Sequence, residues 1–83
     1  MKIHTTTKIT YFENSNQIET SYEIDNYGVK QGKYTHYWLN GKIQETSNFK
    51  NGVYNGILTR YYANGNLWSK RKMVNGVQTK QIY

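Results

Sequence analysis

Eighty-three residues with no cysteine, no proline and a formal net charge of +6 make one small domain. That length limits the surface that folding can bury, and the missing cysteines exclude a disulfide framework and a thiolate zinc site. Aromatics at 16% in a chain only 36% hydrophobic argue for a folded β-protein rather than disorder. The reason is that Tyr, Thr, Ile and Val suit pleated, half-buried surfaces.

In chain order, alternation of apolar and polar residues predicts strands over 3–12, 17–25, 32–39, 42–50, 56–63, 66–74 and 77–82. Asn14-Ser15-Asn16 between the first two implies a long, loose turn. Asn40-Gly41 and Asn64-Gly65 are strong hairpin signals, expected as two-residue type I′ turns, in which both central residues take positive φ. Asn51-Gly52 and Asn75-Gly76 mark the turns between hairpins. With every connection short, the expected fold is all-β: a single antiparallel meander of about seven strands, curled on itself or dimerised to cover its apolar row.

The chain repeats itself. A shift of 24 residues sets Gly32 on Gly56, Tyr37 on Tyr61, Asn40-Gly41 on Asn64-Gly65 and Asn51-Gly52-Val53 on Asn75-Gly76-Val77. A shift of 26 sets Tyr11 on Tyr37 and Glu19-Thr20-Ser21 on Glu45-Thr46-Ser47, an earlier and degraded copy. Within one domain, 1–83, the units are a degenerate first repeat 1–31, a second 32–55, a third 56–79 and a tail 80–83.

Around a two-residue Asn40-Gly41 turn, Trp38 would pair with Ile43, His36 with Glu45 and Tyr34 with Ser47. One face then carries Tyr34, His36, Trp38, Ile43 and Phe49, continued by Leu58, Arg60, Tyr62, Leu67 and Met73. The other carries Lys33, Thr35, Tyr37, Lys42, Thr59, Tyr61, Trp68, Lys70 and Lys72, a basic row studded with aromatics.

These residues resemble the MORN-variant repeat, the short bacterial relative of the membrane occupation and recognition nexus repeat. The pattern runs Gly32-Lys33-Tyr34-Thr35-His36-Tyr37-Trp38-Leu39-Asn40-Gly41-Lys42-Ile43 to Asn51-Gly52, and again from Gly56 through Tyr61-Tyr62-Ala63-Asn64-Gly65 to Asn75-Gly76. The resemblance implies hairpins stacked into an elongated sheet, a non-enzymatic scaffold, and for some bacterial members an antitoxin-like role. Lipid binding, proposed for longer eukaryotic versions, is not carried over, because this chain has few units and lacks the first Asn-Gly.

Charge is placed unevenly: residues 26–83 hold nine basic side chains against the single acid Glu45, whereas residues 1–25 carry a balance of −2. That asymmetry points to an acidic partner. The candidate binding surface is Tyr37, Lys42, Tyr61, Trp68, Lys70, Arg71 and Lys72. Aromatics interleaved with lysines suit a protein interface, and they also suit stacking on single-stranded RNA. His36 beside Glu45 resembles an acid–base pair, but no nucleophile accompanies it, so a hydrogen bond capping the apolar row is expected. No catalytic residue, metal site or cofactor is expected. With no apolar stretch long enough for a leader or a membrane span, the expectation is a cytoplasmic protein of a bacterial or phage-infected host cell. Its expected function is to block or neutralise a partner protein, as an antitoxin or an anti-CRISPR inhibitor of a nucleic-acid-handling effector would. RNA binding and a structural oligomerising scaffold, including a homodimer, are the alternatives.

Overall fold

The structure, a computed structural model, describes residues 4–83; residues 1–3, including the predicted start of the first strand, lie outside that description. Eight strands follow one another: β1 (Thr6–Tyr11), β2 (Ile18–Ile24), β3 (Lys30–Tyr37), β4 (Ile43–Lys50), β5 (Val53–Tyr54), β6 (Gly56–Tyr61), β7 (Leu67–Val74) and β8 (Val77–Gln81). They form one antiparallel sheet in the order β1-β2-β3-β4-β6-β7-β8, with the two-residue β5 folded back onto the end of β4. The seven predicted strands are all present, and β5 is an addition. Overall extents of 40 × 34 × 16 Å describe a single layer, since a second sheet would add about 10 Å of thickness.

The turns fall into two kinds, and their assignment differs from the expected one. At Asn40-Gly41 only the glycine has positive φ, +89°. The Gly41 amide donates to the Trp38 carbonyl at 2.9 Å, and the Trp38 amide donates to the Lys42 carbonyl at 2.7 Å. This is a three-residue loop, a type I turn closed by a left-handed glycine, and Asn64-Gly65 repeats it with φ +96° at Gly65. The asparagines stay in ordinary φ because their side chains work locally: Asn40 Oδ1 accepts the Lys42 amide and Asn64 Oδ1 the Asn66 amide, both at 2.9 Å. The type I′ turns are instead Asn51-Gly52 (φ +52° and +84°) and Asn75-Gly76 (+49° and +84°).

That extra loop residue corrects the predicted register. His36 opposes Glu45 and Tyr34 opposes Ser47 as expected, but a bulge follows, so Ile43 opposes Tyr37 instead of Trp38. The same bulge recurs in the next hairpin, where Leu67 opposes Tyr61. Beyond each bulge the simple alternation of faces no longer holds.

The two type I′ turns dock on the preceding unit in the same way. The Gly52 amide donates to the Lys30 carbonyl (3.0 Å) and the Gly76 amide to the Tyr54 carbonyl (2.7 Å), positions 24 residues apart. Alongside, Asn51 N–H reaches Gln31 Oε1 (3.0 Å) and Asn75 N–H reaches Asn55 Oδ1 (3.1 Å). The ladder at the seam between the two good units is interrupted at Asn55, with β5 paired on one side of it and β6 on the other. Strands β4 and β6 share two register pairs, Glu45 with Arg60 and Thr46 with Thr59.

A buried carboxylate clasps that seam. Glu45, 7% exposed, accepts Arg60 Nε at 3.1 Å on one oxygen, and the Tyr54 hydroxyl at 3.0 Å and Ser47 Oγ at 3.3 Å on the other. This is the one ion pair among the described residues. His36 lies opposite Glu45 but packs edge-on against the Tyr34 ring, so the expected His36–Glu45 hydrogen bond is replaced by the Arg60 and Tyr54 contacts. Apolar burial is slight, with Leu58 and Met73 the buried hydrophobic residues among those described.

Substitutions test the turns and the clasp separately. Asn51→Ala, at a left-handed position, should cost about 1–2 kcal/mol, while Asn51→Gly, which keeps that φ and loses only the exposed Gln31 Nε2 contact, should cost about 0.5 kcal/mol. Asn40→Gly, which loses side-chain hydrogen bonds, should cost about 1 kcal/mol. Urea midpoints check this reversed ranking of the two glycine variants. Glu45→Ala should cost about 2 kcal/mol or more, because it strands Arg60 and Tyr54. A double-mutant cycle with Arg60→Ala should show coupling of about 1 kcal/mol or more, above the range of exposed pairs.

Candidate functional site

Register places one continuous row across the sheet, Ile9, Ser21, Thr35, Thr46, Thr59 and Lys70, one from each of β1, β2, β3, β4, β6 and β7, and its four middle members are small and hydroxylated. Thr35 and Thr59 are only 8% and 5% exposed because larger neighbours rise on both sides. Toward the hairpin tips these are Tyr37 beside Ile43 and Tyr61 beside Leu67. Toward the other end stand Lys33 beside Asn48, and Ile57 beside Lys72 and Lys80. The result is a trough with a threonine floor, one aromatic wall and one basic wall. Its β1–β3 end deepens into a depression of about 270 Å³ lined by Thr7, Ser21, Glu23, Lys33, Thr35 and Tyr37.

Of the predicted surface, Tyr37, Tyr61, Lys70 and Lys72 come together on this threonine face. Arg71 does not: it pairs with Leu58 and bonds Ser69 and Gln78 on the reverse face. Lys42 sits at the hairpin rim, where its ammonium lies 3.9 Å from the position a Cβ on Gly65 would take. Trp68, half-exposed, stacks on Tyr62 with centroids 5.7 Å apart, although alternation had assigned the two to opposite faces. The bulge beside Tyr61 is the physical cause. Lys72 and Lys80 oppose each other directly, an unfavourable like-charge pair that a bound anion would relieve.

The reverse face is aromatic. Tyr22, Tyr34, Phe49 and Tyr54, from four neighbouring strands, form a row with successive centroids 5.9, 5.4 and 4.7 Å apart. Burial holds the Tyr34 phenol above its ordinary pKa, helped by the charge of Glu45. Burial likewise raises Tyr54, aided by the charge and hydrogen bond of Glu45. At the β2–β3 turn the Asp25 carboxylate is held below its usual range, chiefly by the Val29 amide, which desolvation opposes and the Tyr27 N–H and Gln31 Nε2 reinforce. These groups serve the fold. Among the described residues no set of three His, Asp or Glu side chains could hold a metal ion.

The threonine floor was the part of this site least evident beforehand. Thr35 and Thr59 repeat at 24 residues, but Ser21 and Thr46 join them only through the register. Raised phenol values give a prediction with a defined sign. The unfolded chain ionises its tyrosines first, so this stability is intact below pH about 10 and is lost as pH rises through the folded values. Melting curves taken from about pH 9 to 11 should show that loss, and Tyr54→Phe should blunt it.

Comparison with known proteins agrees with this geometry. No curated protein and no solved structure matches the chain. The MORN repeat variant matches twice, at residues 30–51 and 54–75, and each match spans one hairpin and ends on the asparagine that opens the following type I′ turn. Repeats of this kind are generally protein- or membrane-binding modules. With two copies covering over half of its length, the chain belongs to the MORN repeat variant family.

Proposed function

We propose that this chain is a non-enzymatic protein-binding module that blocks or neutralises its partner by occupying an acidic surface with the threonine face. The trough carries this reading. Its floor is hydroxylated at the centre and ends on Lys70, Tyr37 and Tyr61 offer rigid rings at one wall, and Lys33, Lys72 and Lys80 line the other. Glu23 is the acid that borders it, at the β2 end. Tyrosines beside a desolvatable floor are favoured anchors, and clustered lysines steer an acidic partner into register. The non-enzymatic reading is supported by the way the titratable groups are used. Both Glu45 oxygens are taken up by Arg60, Tyr54 and Ser47, and Asp25 caps a turn.

Within that class, an antitoxin-like or anti-defence inhibitor is the form that a small, basic, turn-braced sheet suits best, acting in the cytoplasm where its effector would be. Direct RNA binding is the competing reading, because the same rings and lysines could stack bases and neutralise phosphates. The two separate experimentally. Tagged protein should capture a discrete acidic partner. Lys70→Glu with Lys72→Glu should weaken capture at least about tenfold, and Tyr61→Ala should cost about 1–2 kcal/mol. Steep salt-dependent binding of generic single-stranded RNA, with no protein retained, would overturn the proposal in favour of RNA.

A further inference from the structure

Lys30 extends over the aromatic face, and its ammonium nitrogen lies 5.1 Å from the Tyr22 ring centroid, 5.3 Å from Tyr34 and 5.3 Å from Phe49. Three ring faces within about 6 Å of one cation make an aromatic cage. The rings are not coplanar, with Tyr34 tilted 31° to Tyr22 and 54° to Phe49, and the one ammonium lies over all three, which makes them its cradle.

The next unit packs the equivalent positions without rings. Twenty-four residues on, Leu58 stands for Tyr34 and Met73 for Phe49, while Ser47, next to the Thr46–Thr59 pair on the same face as Leu58, takes the place of Tyr22; Ser47, Leu58 and Met73 are buried there without any ring. The backbone does not need the Lys30 side chain, since the Gly52 amide docks on the Lys30 carbonyl. A primary ammonium is strongly hydrated and gives up water to sit there. A quaternary ammonium is weakly hydrated, and its methyl groups would bury apolar area against all three rings.

We propose that the Tyr22–Tyr34–Phe49 cradle is a quaternary-ammonium site that Lys30 occupies until such a ligand displaces it. The ligand is a choline-type group, carried either by a free small cation or by a lipid headgroup. The site lies on the face opposite the protein-binding trough and is independent of it.

Titration with tetramethylammonium chloride, followed by NMR of the ring protons against matched sodium chloride, tests this. Lys30→Ala, with its fold checked by circular dichroism, should show saturable shifts confined to the three rings. Its affinity should exceed that of the unaltered protein about tenfold, because the internal competitor is gone. Tyr34→Leu, which copies the leucine of the next unit, should stay folded and lose the site. Folded Lys30→Ala that responds no differently to tetramethylammonium than to sodium overturns the proposal, as does undiminished binding by Tyr34→Leu. Sedimentation with phosphatidylcholine vesicles assigns the source. Vesicle binding competed by tetramethylammonium means a headgroup; binding of tetramethylammonium without vesicle binding means a free cation.

Discussion

The Glu45 carboxylate is the point on which the two good repeats meet. The ladder there is interrupted: β4 makes two register pairs with β6 and two with β5, and between them only the Asn55 amide reaches the Asn48 carbonyl. Glu45 spans the gap with hydrogen bonds to Arg60 on β6, Tyr54 on β5 and Ser47 on its own strand, so three elements take their positions from one side chain. A buried charge is costly unless it is paired and hydrogen-bonded, and here both oxygens are engaged. The chain holds a single acid after residue 25, and it sits at this junction.

A one-layer sheet with little apolar burial must find stability elsewhere, since most domains gain theirs by packing two layers. Here three sources combine. The row from Tyr22 to Tyr54 stacks rings across four strands, each contact adding to the area it buries. Left-handed Asn-Gly turns lock onto the carbonyl of the preceding unit. Side-chain amides, Gln31 in one unit and Asn55 in the next, bind the turns a second time. Each source is local to one seam, as in other repeat proteins whose units bind only their neighbours.

Much of this was legible from the residues alone. Strand positions followed from alternation, the repeat from the recurring glycines and tyrosines, and the loose first turn from Asn14-Ser15-Asn16, whose Phe12 and Gln17 close a four-residue loop. The turn types were not legible, because Asn-Gly suits both a type I′ turn and a three-residue loop with a left-handed glycine. One extra loop residue then shifted Ile43, Leu67 and Trp68 relative to the expected faces. Tyr37, Tyr61, Lys70 and Lys72 lie before or beyond the bulges and were placed correctly, whereas Arg71 was grouped with the lysines by sequence adjacency, although alternation points it away. The clasp and the cradle depend on residues brought together from different units, which a period of 24 cannot reveal when the equivalent positions differ.

The turn-to-carbonyl docking has a bearing on how such a chain can change in length. Because Gly52 and Gly76 find their acceptors one unit back by the same rule, duplicating a whole unit between them reproduces every docking contact. Deleting a single residue within β4 or β7 would instead invert the side chains of that strand, exchanging threonine floor for aromatic row. Gain or loss of two dozen residues is thus a gentler alteration for this molecule than loss of one, and variation among its kin should come in whole hairpins.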